Sequence, residues 1–176
     1  FRQSNTILLD GGMGTMLQAA GLKLGARPEE LNITDPALIE GIHGQYAAAG
    51  SRIVNANTFG ASAHKLAGSA YTLEQVITAG IENCKRACAP YGALTALDVG
   101  PLGELLEPSG TLAFEDAVAE YARIVKAGEA AGADLIFFET YTDLYELKAA
   151  LLAAKENTHL PILASMSFEA GGRTFT

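Results

Sequence analysis

Three carboxylates in this 176-residue chain stand where an acid closes an apolar run: Asp10 after ILL, Asp98 after LTAL and Glu139 after LIFF. An acid at the end of a strand is placed to meet a cation at the edge of a sheet. Asp10 is followed by Gly11, Gly12 and Gly14. Glycines directly after a strand let the backbone turn sharply and let its N–H groups approach an anion with no Cβ between them. An acid for an ammonium, next to amides for a carboxylate, suits the zwitterionic end of an amino acid. A plain tight turn is the other reading of the same glycines. The spacing fits no nucleotide loop, because the last position of a G-x-G-x-x-G pattern falls on Leu17 and a P-loop needs a lysine.

The remaining reactive side chains point away from other chemistries. Lys23, Lys65, Lys85, Lys126, Lys148 and Lys155 all fall in expected helices or loops. No strand therefore presents a Schiff-base amine, which disfavours a lysine-type aldolase. His43 lies within an expected helix and His159 before the last strand, both read as structural. His64 follows the second strand, in reach of a ligand or simply solvated. There is no H-x-x-x-H or H-E-x-x-H pair. Cys84 and Cys88 continue the stripe Ile77, Ile81 at helical spacing, so they read as core residues, with a metal pair at i and i+4 as the alternative.

The elements that must position these residues alternate along the chain. Strands are expected over 7–10, 53–57, 94–98, 135–139 and 162–168. Helices are expected between them: one capped by Thr34 or Asp35, with Pro36 at its first position and Gly50 at its end; two more starting at the capping-box pairs Thr72–Gln75 and Asp143–Glu146; and one over about 111–131. Repeated strand–helix units predict a parallel sheet with right-handed crossovers, either doubly wound or a (β/α)8 TIM barrel. In a barrel, ligands collect at the C-terminal ends of the strands. Those ends hold Asp10, Asn55 and Asn57, Asp98, Glu139, and Ser165 and Ser167. They form either a ring around a pocket or merely the points where strands stop.

Composition narrows the rest. A net charge of -8 repels phosphate backbones and anionic lipid. No apolar run spans a bilayer and FRQSNT carries no leader pattern, so the expectation is a cytoplasmic protein with no nucleic-acid or membrane partner.

DGGMGTML at 10–17, NANTFGAS at 55–62, FFETYTDLYELKAAL at 137–151 and PILASMSFEAGGRTFT at 161–176 together resemble the homocysteine S-methyltransferase family. Within it they resemble the N-terminal homocysteine-binding barrel of the cobalamin-dependent methionine synthase branch, which DVGPLGELLEPSG at 98–110 also fits. The resemblance implies a (β/α)8 barrel, of which residues 1–176 are roughly the first five of eight units and a single domain part. It implies an EC 2.1.1 methyltransferase acting on homocysteine, with zinc ionising the thiol, methylcobalamin as donor, and cobalamin-binding and folate-binding modules as partners. A sulfonium or betaine donor is the alternative within the family. The family's zinc ligands are three later cysteines, which Cys84 and Cys88 do not match, so the chain alone is expected to be inactive. A non-catalytic half-barrel, paired as an intertwined dimer, is the alternative from another class. Carried onto matching positions, Asp10 and Glu139 hold the ammonium, Gly11 and Gly12 meet the carboxylate, and Asn57, Thr58, Phe59 and Asp98 shape the pocket.

Overall fold

A computed structural model describes residues 6–23 and 25–174. The FRQSN stretch and the last two residues of GGRTFT lie outside the described residues. Four strands, β1 (Ile53–Asn55), β2 (Leu94–Val99), β3 (Leu135–Tyr141) and β4 (Ile162–Met166), form one sheet in the order β1-β2-β3-β4, and every pair is parallel. The helices are α1 (Met13–Ala19), α2 (Leu31–Thr34), α3 (Pro36–Ala48), α4 (Leu73–Cys88), α5 (Phe114–Ala130) and α6 (Leu144–Asn157).

The expected first strand at 7–10 is reduced to a single parallel bridge between Leu9 and Ile53, with Asp10 N–H donating to the Ile53 carbonyl at 3.2 Å. Its apolar run lies along β1 but makes no longer ladder. β1 also stops at Asn55, two residues short of expectation, because Thr58 N–H donates to the Ala56 carbonyl at 2.7 Å and folds the chain out of the strand.

Local chemistry explains where the helices begin. In α4 the Gln75 N–H donates to Thr72 Oγ1 at 3.2 Å while Thr72 N–H donates to Gln75 Oε1 at 2.9 Å, a complete capping box. Asp35, not Thr34, caps α3 by accepting from Leu38 N–H, with Pro36 at the first position. Asp143 caps α6 through Tyr145 N–H, but Glu146 does not close a box there. Its Oε1 accepts instead from Leu102 N–H at 2.8 Å and from the Tyr121 hydroxyl at 2.9 Å.

Helices α3, α4, α5 and α6 pack on one face of the sheet, while α1 packs on α3. Val54, Leu97, Val99, Ile136 and Phe138 from that face join Val76, Ile77, Ile81, Cys84, Cys88, Ile124 and Val125 in the main core. The other face carries a smaller cluster, Ile53, Ala96 and Leu135, with Phe137 and Leu163 half-buried against it. Helices on one face and strands in sequential order suit an arc of a (β/α) barrel; a doubly wound sheet reverses strand order and covers both faces. The period of two then assigns faces: Ile53 and Asn55, Ala96 and Asp98, and Leu135, Phe137 and Glu139 all point away from the helices.

Candidate functional site

Glu139 is the last residue of its alternating run because β3 is irregular just beyond it. The ladder with β4 shifts register between Phe138 and Tyr141, and Thr140 adopts a left-handed backbone at φ 58°. The extra residue sends Tyr141 back to the helix side, where its hydroxyl donates to the Gly100 carbonyl at 3.1 Å. A β-branched residue at positive φ is strained and is held here by Thr140 N–H donating to Ser165 Oγ at 3.0 Å. Ser165 thus serves the bulge.

Asp10, Asp98 and Glu139 line a single cavity of about 170 Å³, with Gly11, Gly12, Met13, Asn55, Ala56, Asn57 and Phe59 completing it. Asp10 is fixed by Asn55 N–H, which donates to its Oδ2 at 2.9 Å. Asp98 is only 6% exposed, stands beside Glu139, and has an Oδ1 with no partner. Burial pushes the Asp10 carboxyl up to about 7, opposed by the Asn55 hydrogen bond and reinforced by Glu139. Burial, then Glu139 and Asp10, hold Asp98 well above the usual carboxylate range. Burial also raises Glu139, against the lowering effect of the neighbouring Asp98. Three acids around one partly buried cavity with no lysine or arginine in its wall raise one another's affinity for protons.

That sets a pH dependence. A carboxyl whose folded pKa exceeds its unfolded value binds a proton more tightly in the folded chain, so its contribution is present at low pH and lost as pH rises. For Asp10 the window runs from its ordinary 3.8 to about 7. The ligand-free melting temperature is therefore expected to fall between pH 5 and pH 8, and differential scanning fluorimetry across that range checks it. An increase would mean that the acids are already ionised and paired.

The sequence-assigned residues divide by position. Asp10, Gly11, Gly12, Asn57, Phe59, Asp98 and Glu139 reach the cavity; Thr58 does not. The buried Thr58 hydroxyl donates to the Asp98 carbonyl at 2.7 Å and receives the Asp98 N–H at 3.1 Å, so it splints the strand end from behind. The Asn57 amide turns away too: its Nδ2 donates to the Pro28 carbonyl and to Asn32 Oδ1 at 2.8 and 2.9 Å. The Phe59 ring covers Gly100, where an added Cβ would sit 2.7 Å from it, and Lys65 Nζ stands 5.2 Å from the ring centroid.

The glycine loop works differently from expectation. Gly11, Gly12 and Gly14 are absent from the left-handed residues, so the loop is not a nest. Gly11 lies under the Tyr46 ring, whose hydroxyl would be 3.0 Å from a Cβ and donates to the Gly12 carbonyl. Asn55, named among the strand ends but not among the residues carried over from the family, also lines the cavity, as do Met13 and Ala56. The signal for Asn55 was its alternation with Ile53.

The other candidates lie elsewhere. Cys84 and Cys88 are buried on the helix side of the sheet, their sulfurs 3.8 Å apart. His43 is fully buried in α3, where desolvation lowers it to about 4. His64 pairs with Glu104 at 3.5 Å. Among the described residues no three His, Cys, Asp or Glu side chains are grouped to hold a metal. The residues present therefore do not fit the zinc that the resemblance implies. No described helix is long and apolar enough to cross a membrane.

Known proteins share this architecture. A methionine synthase from Mycobacterium tuberculosis (strain ATCC 25618 / H37Rv) is 32% identical over 183 residues, and one from Mycobacterium leprae (strain TN) 31% over 185; each match covers 93% of this chain. The chain spans only 15% of the length of either relative. The crystal structures of the homocysteine methyltransferase MmuM from Escherichia coli, oxidised and metallated, superpose with a TM-score of 0.78 at 25% and 26% identity. They are matched over 94% of this chain and over 63% and 64% of theirs. The family model described as homocysteine S-methyltransferase matches residues 7–176, and with these relatives it shows that the chain belongs to the homocysteine S-methyltransferase family.

Proposed function

We propose that this chain is the homocysteine-binding part of a methyltransferase that makes methionine, and that residues 1–176 form the N-terminal arc of a (β/α)8 barrel. The observation that carries the reading is the convergence of Asp10, Asp98 and Glu139, from three different segments, on one cavity beside Gly11 and Gly12.

In this reading Asp10 and Glu139 receive the ammonium, whose charge favours their ionised forms against the burial that raises them. The N–H groups of Gly11 and Gly12 meet the carboxylate, while Phe59 walls the cavity from solvent. Thr58 keeps Asp98 in place through its two hydrogen bonds to the Asp98 backbone. Zinc, in this family reading, supplies ionisation of the thiol, but no ligand set for it occurs among the described residues. This chain's share is to bind and orient the amino-acid end. The similarity to two proteins named methionine synthase supports a methyl donor carried as methylcobalamin on another module, with a folate-binding module beside it.

Isothermal titration of the complete barrel that contains residues 1–176 with L-homocysteine under reducing conditions tests the proposal. Saturable one-to-one binding is expected, together with no binding of 4-mercaptobutyrate, which lacks the ammonium. Equal binding of the two compounds, or no heat from either, rejects it.

A further inference from the structure

Phe59 walls the acid cavity with a side chain that has no polar atom to fix it. The ring is 38% exposed, so core packing alone does not enclose it. Its main chain is fastened, because the Phe59 carbonyl accepts from Gly100 N–H at 3.1 Å, and the ring lies close on Gly100. The loop after β2 is anchored on both sides of Pro101. The Tyr141 hydroxyl donates to the Gly100 carbonyl, Leu102 N–H donates to Glu146, and Ser62 Oγ donates to the Leu102 carbonyl. The Pro101 carbonyl between these anchors accepts from Lys65 Nζ at 2.7 Å.

Lysines usually keep the ammonium in water while the stem covers apolar surface. Lys65 is half-buried and turns its head inward, with Nζ 5.2 Å from the Phe59 ring centroid, within range of a cation–π contact. Burial pushes this ammonium down, opposed by Glu29, Glu146 and Asp98. Those three acids are themselves buried, so the protein as well as the solvent favours the charge. The main chain of Lys65 is pinned too: Arg27 Nε donates to its carbonyl at 3.0 Å, and its N–H donates to Ser62 Oγ at 3.2 Å. Base and target are both fixed, and the ammonium bridges them beside the ring.

We infer that Lys65 is a positioning residue for substrate binding: anchored on the Pro101 carbonyl, its ammonium holds the Phe59 ring in place as the wall of the cavity. This rests on the proposed function, in which the cavity takes homocysteine. Lys65 does not line the cavity itself, so it acts through Phe59. The face of the ring attracts the cation, and the charge-assisted bond to Pro101 fixes where that cation stands. Without the ammonium the ring is less ordered, and a ligand must order it on binding, which lowers affinity.

The experiment titrates the complete barrel that contains residues 1–176 with L-homocysteine and closes a double-mutant cycle between Lys65 and Phe59. Lys65→Met keeps the stem but removes donor and charge, and is expected to weaken binding roughly 5- to 30-fold. Lys65→Arg keeps both and should bind within a few-fold of the unsubstituted barrel. In a Phe59→Leu background Lys65→Met should weaken binding by less than about twofold further, because the ring it acts on is gone. Unchanged affinity in Lys65→Met, an equal loss in both backgrounds, or Lys65→Arg as weak as Lys65→Met overturns the inference and leaves the proposed function standing. A Lys65→Met barrel that does not fold, judged by circular dichroism, assigns Lys65 to the fold and overturns it as well. Failure of the unsubstituted barrel to bind L-homocysteine overturns both.

Discussion

Glu139→Ala is expected to weaken L-homocysteine binding about 10- to 150-fold, the range that follows from losing a hydrogen bond to a charged group worth roughly 1.5–3 kcal/mol. Its melting temperature without ligand should hold or rise. Glu139 lies in a cavity with two other acids, and burial raises all three. Removing one relieves like-charge crowding for Asp98, so the folded chain loses a cost along with a contact. Affinity and stability thus move in opposite directions, which a general packing defect would not produce. Titration calorimetry and thermal melts on the same sample read both. An unchanged dissociation constant removes Glu139 from the site, and a joint loss of affinity and stability assigns it to the fold.

The largest effect on stability is expected at Phe138, one residue before Glu139 and on the opposite face. It is fully buried and stands edge-on to Tyr121 and Tyr141, with centroids 6.2 and 6.0 Å away and interplanar angles of 86° in both pairs. Phe138→Ala removes a ring from a core that cannot close over the gap, at a cost of about 3–5 kcal/mol. Small domains have roughly 5–15 kcal/mol in total, and the melting temperature should drop by roughly 6–20 °C. The two tyrosine hydroxyls bond Glu146 and the Gly100 carbonyl, so the loop after β2 loses its anchors as well. Urea unfolding should show a lower midpoint with an unchanged slope. A loss below about 1 kcal/mol would place Phe138 outside the cooperative core.

How much of this was legible beforehand follows from how local each signal is. β2, β3 and β4 and the four long helices were readable because alternation, helical period and the caps at Asp35, Thr72 and Asp143 act within a few residues. α1 was missed: Gly12 precedes it without any side-chain cap, and the helix is held by Leu17 packing with Ile39 and Ile42 of α3. Glu146 has capping-box spacing from Asp143, yet its carboxylate answers Leu102 and Tyr121 across the core. Thr58 and Asn57 carry the right chemistry in the right motif. Their side chains are nevertheless claimed by the Asp98 backbone and by Asn32 and Pro28.

By itself the sequence placed Asp10, Asp98 and Glu139 toward the same end of a parallel sheet, though not the residues at which its strands stop. The direction of a strand and the period of its side chains are written in neighbouring residues. Only the tertiary structure decided that these acids close on one cavity and that burial there raises all three. Desolvation and charge interaction depend on distances between segments some 40 residues apart or more, and no local pattern encodes them.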